Sequence, residues 1–217
     1  RGAQRVWLHT AGVKNEDWED LAPAELDGQA WLVIGDIEDN QAIRPHVPGT
    51  FRNMLEAVAR SEAMLFYLDN WQSGTAVQGG SGRSRRVQGG PFARRATGIN
   101  ENYARELMEL HTLGVDGGYT QDDIVNVARA FTGWTMGAPG QSDGFRFDPA
   151  MHDRGEKTVL GHVVKAGGGL DDGQQVLDIL AAHPSTARYI ATKLAVRFVS
   201  DTPPAALVDR AAARFTA

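Results

Sequence analysis

Apolar residues recur at helical spacing along most of the chain after residue 48, and this periodicity limits the fold more than any other feature. The segments 51–58 and 124–131 each place large apolar side chains three and four residues apart, as in a helix with one buried face. Ser61, Asn100 and Thr120 each precede a helical segment. Their short side chains can accept hydrogen bonds from the free N–H groups of a first turn. The repeated pattern predicts a mainly α, multi-helix globular domain.

Other helices are predicted near both ends of the chain. Three lie in its last third, at 172–182, 185–199 and 204–215, and they are separated by His183-Pro184 and Thr202-Pro203. A further helix is predicted at 21–34, with Pro23 in a first turn where its missing N–H does no harm. The remainder of residues 1–40 gives no clear pattern.

The helical rhythm breaks between residues 144 and 164. Phe145 and Phe147 alternate with polar neighbours, and residues 158–160 can also extend. Residues 153–156 have the composition of a turn. The sequence therefore predicts a small β-hairpin insertion near 144–164.

A segment rich in glycine and arginine runs from residue 71 to 98. It contains seven glycines, five arginines and no acidic residue, and it is too long for an ordinary connection inside a compact domain. We expect a flexible loop. Arg94 and Arg95 are candidates for binding an anionic group, and a simple solvated loop is the alternative.

Composition excludes several classes of function. The chain has no cysteine, so disulfides, thiolate metal ligands and cysteine nucleophiles are absent. A formal net charge of −5 argues against a protein built to coat nucleic acid, so no nucleic-acid partner is expected. No apolar run approaches the roughly 20 residues of a transmembrane helix. The first residue is Arg1, and we expect the chain to be a piece of a longer protein.

The densest group of polar side chains lies on the predicted helix that begins after Asn100. At about 100° per residue, one face carries Asn102, Arg105, Glu106 and Glu109. An arginine beside two carboxylates can separate their proton affinities, as general acid–base catalysis requires. Glu106 is therefore a candidate acid or base with Glu109 as its partner, and Asn102 and Arg105 are candidates for substrate binding. The alternative is a solvated face with an Arg105–Glu109 ion pair.

A second polar cluster surrounds His152 and Asp153. This pair can act as an accessory catalytic pair or bind a divalent metal, and Lys157 is a candidate for substrate binding. No standard zinc-binding spacing is present. A hairpin turn with a local ion pair is the alternative.

Several segments resemble the bacterial family known as domain of unknown function 1800. The strongest match is GINENYARELMELHTLGVDGGYT at 98–120, followed by VARAFTGWT at 127–135. Shorter matches occur at 63–70, 152–153, 157–161 and 183–187. The resemblance runs from about Ile43 to Phe215 and corresponds to the C-terminal portion of the family domain.

The resemblance implies an organisation and a location. Residues 41–217 form the family-like helical domain, and residues 1–40 are a divergent or truncated N-terminal segment, because larger members carry an additional helical half. Family members often look like exported proteins, which implies a periplasmic or extracellular location. The family brings no established activity, so no catalytic residue is transferred from it.

Three functions remain open from the sequence. The first is a hydrolase or lyase that acts on an extracytoplasmic polymer such as a polysaccharide, through the carboxylates of the predicted helix after Asn100; an anionic or polysaccharide substrate is expected. The second is a non-catalytic module for binding or assembly at the cell surface. The third is a metal-dependent enzyme centred on His152 and Asp153, with a divalent metal as cofactor. The sequence does not predict an oligomeric state.

Overall fold

The computed structural model describes residues 44–46, 48–75, 98–137 and 144–216, together with the backbone of strands at 22–26 and 29–33. Helices dominate this part of the chain, which confirms the predicted mainly α class. They are α1 (Phe51–Ala59), α2 (Glu62–Tyr67), α3 (Glu101–Glu109), α4 (Gln121–Ala130), α5 (Leu170–Ala182), α6 (Pro184–Phe198) and α7 (Ala205–Phe215).

The strands of the described residues form three antiparallel pairs. They are β1 (Ala22–Leu26) with β2 (Gln29–Val33), β3 (Trp134–Met136) with β4 (Phe145–Phe147), and β5 (Lys157–Val159) with β6 (His162–Val164). The first pair corrects the helix predicted at 21–34. Its two strands flank Asp27-Gly28, a dipeptide typical of two-residue hairpin connections, and this signal outweighs the helical spacing of the apolar residues.

The predicted β insertion near 144–164 is present, but it is paired differently. Phe145 and Phe147 pair with β3 and not with residues 157–159. The turn of the β5–β6 hairpin lies at Leu160 and Gly161, whose φ angles are 49° and 80°. Glycine adopts positive φ without strain, and for this reason the strand reverses there and not at 153–156.

The predicted helix caps are confirmed. The Ser61 hydroxyl accepts a hydrogen bond from the Met64 N–H at 3.1 Å. The Asn100 side chain accepts one from the Asn102 N–H at 2.9 Å. Thr120 and Asp123 form a reciprocal capping box at the start of α4. Helices α2, α3 and α4 therefore each begin where a side chain accepts a hydrogen bond from a free backbone N–H.

The main core is organised around Trp134, which is completely buried. The Trp134 ring contacts Phe131 edge-on, with ring centroids 4.8 Å apart, and Phe131 contacts Tyr103 at 5.3 Å. Helix α5 approaches through Gly173, where a Cβ atom would lie 2.5 Å from the Trp134 ring. These contacts fix α3, α4, β3 and α5 relative to one another.

The C-terminal helices α6 and α7 pack mainly on each other, through a smaller cluster around Ala191, Ala195 and Val208. Among the residues that the structure describes, every helix falls short of the length and apolar character needed to span a bilayer.

Candidate functional site

An open pocket of about 570 Å³ lies at the N-terminus of α3. Its lining residues come from two segments that are distant in sequence. They are Asp69, Gln72, Gly98, Ile99, Asn100, Glu101 and Asn102. The pocket therefore combines two carboxylates with three side-chain amides, and it includes the predicted binding residue Asn102.

Asn100 joins the two segments. Its backbone N–H donates to the Ser73 hydroxyl at 3.0 Å, and its side-chain amide donates to the Leu68 carbonyl. Its remaining side-chain oxygen caps α3. This one residue thus starts the helix and holds the 68–73 segment against the helix N-terminus.

Asn70 holds the same segment from the other side. It is completely buried, and its amide donates to the carbonyls of Phe131 and Trp134 at 3.2 and 3.1 Å. The preceding residue, Asp69, has a left-handed backbone with a φ of 56°. Aspartate tolerates this conformation better than most residues, and such backbone strain clusters at functional sites. Hydrogen bonds from Asn70 and Asn100 therefore fix the backbone of the pocket wall.

The predicted acid–base face of α3 continues away from the pocket and is occupied by ion pairs. Arg105 lies 3.3 Å from a Glu109 oxygen and donates to the Gln121 amide oxygen at 3.1 Å. Burial, together with a hydrogen bond to Glu109, raises the pKa of Tyr119 to about 12. Glu109 is thus held by Arg105 and Tyr119. Glu106 is half-buried on the same helix.

The predicted pair His152–Asp153 belongs to a buried polar network. Both ring nitrogens of His152 face oxygen acceptors. Nδ1 lies 2.8 Å from the Thr132 carbonyl, and Nε2 lies 3.1 Å from an Asp172 carboxylate oxygen. His152 and Asp172 are 5% and 0% exposed. The imidazole is therefore enclosed, with both of its polar atoms engaged.

Lys157 closes this network. Its Nζ atom donates to Asp172 at 2.6 Å and to the carbonyls of Asp153 and Gly155 at 2.7 and 2.8 Å. An ammonium has three N–H donors, so all of them are used within the protein. Lys157 therefore has no free donor in this structure for the predicted role in substrate binding.

The Asp153 carboxylate is held by Arg129. The guanidinium donates to both carboxylate oxygens, at 3.1 and 3.0 Å, and the Gly155 N–H adds a third bond. Partial burial raises the pKa of Asp153, but the hydrogen bonds from Arg129 and Gly155 outweigh it and hold the pKa below its usual value. The carboxylate is thus kept charged and tied to α4.

The donor set does not favour a metal at His152 and Asp153. No group of three histidine, aspartate or glutamate side chains within the described ranges is arranged to hold a metal ion. Thr132, His152 and Asp172 do form a hydroxyl–imidazole–carboxylate series. However, the Thr132 hydroxyl is buried and donates a hydrogen bond to the Arg129 carbonyl at 2.6 Å. The series therefore ties two loops together and offers no exposed nucleophile.

Besides Asp69, Gln72 and Glu101 of the pocket, Asp172 is a site residue that the sequence did not single out. Its signal was its place in the first turn of α5, three residues after the last of three consecutive glycines. A Cβ atom on Gly168 would lie 2.1 Å from the second Asp172 oxygen, so this glycine gives the carboxylate its room.

The structure brings the pocket, and not the Glu109 end of α3, close to the His152 turn. The Ser73 carbonyl accepts from the Gly133 N–H at 3.1 Å, and the Thr75 N–H donates to the Met151 carbonyl at 3.0 Å. By contrast, Arg105 and Asp153 contact α4 at Gln121 and Arg129, which are about 12 Å apart along the helix. The predicted anion-binding residues Arg94 and Arg95 lie outside the described residues.

Comparison with known proteins identifies a family but no characterised relative. Neither the curated proteins nor the solved structures gave a match to this chain. One family model matches residues 21–217, and its description is "Protein of unknown function (DUF1800)". Because this match covers nearly the whole sequence, the chain belongs to the DUF1800 family.

Proposed function

We propose that this chain is part of an exported hydrolase or lyase that acts on an extracytoplasmic polysaccharide. The observation that carries the proposal is the pocket at the N-terminus of α3, where the carboxylates of Asp69 and Glu101 lie among the side-chain amides of Gln72, Asn100 and Asn102. Clefts with a few convergent polar groups are the usual sites of ligand binding.

The lining chemistry suits a sugar chain. Carboxylates and amides are strong partners for the hydroxyl groups of a sugar ring. Enzymes that hydrolyse glycosidic bonds use paired carboxyl groups, one as general acid and the other as base or nucleophile. A lyase likewise needs a base that removes a proton from the sugar ring. Acidic side chains of this pocket can supply the acid and base groups that both reactions need.

Three carboxylates are the candidates for this chemistry. Asp69 and Glu101 line the pocket directly. Glu106 follows Asn102 by four residues on the same helical face, so a polymer leaving the pocket along α3 reaches it next. Glu109 is assigned a supporting role, because it is bound by Arg105 and Tyr119. His152 and Asp153 are assigned the role of holding the adjacent turn.

The proposal is tested with a panel of bacterial exopolysaccharides and cell-wall glycans. New reducing ends report hydrolysis, and ultraviolet absorbance of unsaturated products reports a lyase. On the substrate that is cleaved, replacement of the acid or base among Asp69→Asn, Glu101→Gln and Glu106→Gln is expected to lower kcat roughly 10²- to 10⁴-fold. Glu62→Gln is the matched control, because Glu62 is exposed on α2 and does not line the pocket. Full activity in all three variants refutes the assignment.

The open shape of the pocket favours one second candidate, a non-catalytic module that binds polysaccharide at the cell surface. This alternative predicts retention on an immobilised glycan without release of product. Retention would then fall in Asp69→Asn and remain in Glu62→Gln.

A further inference from the structure

Exposed aromatic side chains occur on the segment that leads into the pocket wall at Asp69 and Gln72. Phe66 and Tyr67 at the end of α2 are 55% and 78% exposed. The Phe66 ring is stacked on the Trp71 ring, with centroids 6.4 Å apart and planes 15° from parallel. Apolar surface of this kind is costly to leave in water, and contiguous apolar patches of a few hundred Å² are often functional.

In the sequence, these aromatic residues are close to the polar residues that form the pocket wall. Tyr67 precedes Asp69 by two residues, and Trp71 lies between Asp69 and Gln72, along a segment that supplies two of the lining residues. The segment is fixed, since the Thr135 hydroxyl donates to the Trp71 carbonyl at 3.0 Å and Asn70 is bound to the α4–β3 turn. The aromatic rings are thus presented by a backbone that is held before any ligand arrives.

The charge around the pocket argues against an anionic ligand. Its described lining contains two carboxylates, Asp69 and Glu101, and neither lysine nor arginine. The nearest basic side chain on the same helix, Arg105, already contacts Glu101 and Glu109. A negatively charged sugar would therefore meet charges of its own sign at short range.

The patch is also too small to be the interface of a stable dimer. A buried Phe, Tyr or Trp covers about 150–250 Å². At the exposures of Phe66 and Tyr67, the two rings offer roughly 200–330 Å². A stable interface needs about 800 Å² on each partner. The occupant is therefore a small or narrow ligand.

We infer that the Phe66–Trp71 pair, Tyr67 and the pocket form one binding surface for a neutral glycan chain. The apolar faces of the sugar rings lie on the aromatic side chains, and the hydroxyls at the ring edges bond to Asp69, Gln72 and Asn102. This inference rests on the proposed function for the position of the site, but it requires no bond cleavage. It narrows the substrate from polysaccharides in general to uncharged ones.

The test is isothermal titration calorimetry of the 217-residue chain with hexasaccharides of defined charge. Cellohexaose, laminarihexaose and xylohexaose are the neutral probes, and hexagalacturonic acid is the anionic probe. We expect at least one neutral probe to bind more tightly than the anionic one at physiological salt. Failure of all three neutral probes, or tighter binding of hexagalacturonate, overturns the inference. The second result would point instead to the arginines of residues 71–98.

Variants then test the aromatic surface. Phe66→Ala is expected to weaken binding at least tenfold, and Trp71→Ala to do the same, whereas Trp71→Phe keeps a ring and retains most of the affinity. Phe198→Ala is the matched control, because Phe198 is 56% exposed and lies at the end of α6. Unchanged affinity in Phe66→Ala and Trp71→Ala overturns the inference. Far-UV circular dichroism and the melting temperature of each variant exclude unfolding as the cause of a loss.

Two further measurements separate this inference from the proposed reaction. Neutral glycan that binds through the aromatic surface but yields no product supports the inference and refutes the catalytic proposal. If Phe66→Ala cleaves the glycan with an unchanged KM, the catalytic proposal is supported and the inference about the aromatic surface is overturned. Sedimentation velocity completes the test, and a dimer that Phe66→Ala dissociates would assign the patch to a second copy of the chain and overturn the inference.

Discussion

Replacing Lys157 with Met removes a buried positive charge while keeping the length of the side chain. The Lys157 ammonium lies 2.6 Å from the Asp172 carboxylate, and both side chains are 0% exposed. In the variant, Asp172 keeps His152 as a partner but loses its closest donor. The carbonyls of Asp153 and Gly155 each lose a hydrogen bond as well.

The expected loss of stability is large. Removing one partner of a buried ion pair costs about 3–5 kcal/mol, because the other charge is left without compensation. For a domain of this size, 1 kcal/mol corresponds to about 2–4 °C in Tm, so Lys157→Met is expected to melt roughly 6–20 °C lower. Urea unfolding followed by circular dichroism and tryptophan fluorescence measures the free energy. Coincident transitions establish that the unfolding is two-state.

An exposed ion pair in the same chain supplies the control. Arg188 and Asp209 are paired between α6 and α7, with side chains 59% and 56% exposed. Arg188→Met is expected to cost less than about 1 kcal/mol. Adding Asp172→Asn to Lys157→Met should destabilise by less than the sum of the two single changes, because the partners interact directly. A cost below about 1 kcal/mol for Lys157→Met, or strictly additive changes, would refute the assigned role of the network.

Three other changes have defined outcomes. Burial lowers the pKa of His111 to about 4 from 6.5, so its contribution to stability is complete above pH 6.5 and is lost as the pH falls towards 4. Urea unfolding between pH 7 and 4.5 should show a loss of up to roughly 3 kcal/mol. His111→Gln should reduce that loss, whereas the exposed His162→Gln should not. Gly173→Ala would normally favour a helix, but its methyl group meets the Trp134 ring, so a lower Tm and a cost of about 1–3 kcal/mol are expected; a higher Tm would contradict the packing. Asn100→Ala should cost about 1–2 kcal/mol by urea unfolding through loss of the α3 cap, and an unchanged value would mean that the cap and its bond to the 68–73 segment contribute little.

The parts of the fold that depend on short-range signals could be predicted from the sequence. Ser61, Asn100 and Thr120 cap their helices through bonds that span two or three residues, and such bonds leave a visible pattern. The helix predicted at 21–34 was wrong because apolar spacing is ambiguous over short runs. There the Asp27-Gly28 pair was the better signal for the hairpin.

The candidate site could be predicted only in part, because its contacts are long-range. Asp172 meets Lys157 and His152 across 15 and 20 residues of sequence. No local pattern reports such a meeting. Asp69 and Glu101 share a pocket because the amides of the buried Asn70 and the half-buried Asn100 bind backbone carbonyls elsewhere in the chain. Every residue has a backbone carbonyl, so the sequence does not indicate which carbonyls these amides bind.

The bridge between Gly74 and Gly98 has a consequence for how this protein can vary. Because these two residues are neighbours, the sequence that joins them begins and ends at one place on the helical scaffold. Its length and composition can change over evolutionary time without moving α3 or the Asn70 turn, since closing a longer excursion costs only slightly more entropy. The sequence between Gly74 and Gly98 is therefore a natural point for diversification, because it can vary while the supporting helices are inherited intact.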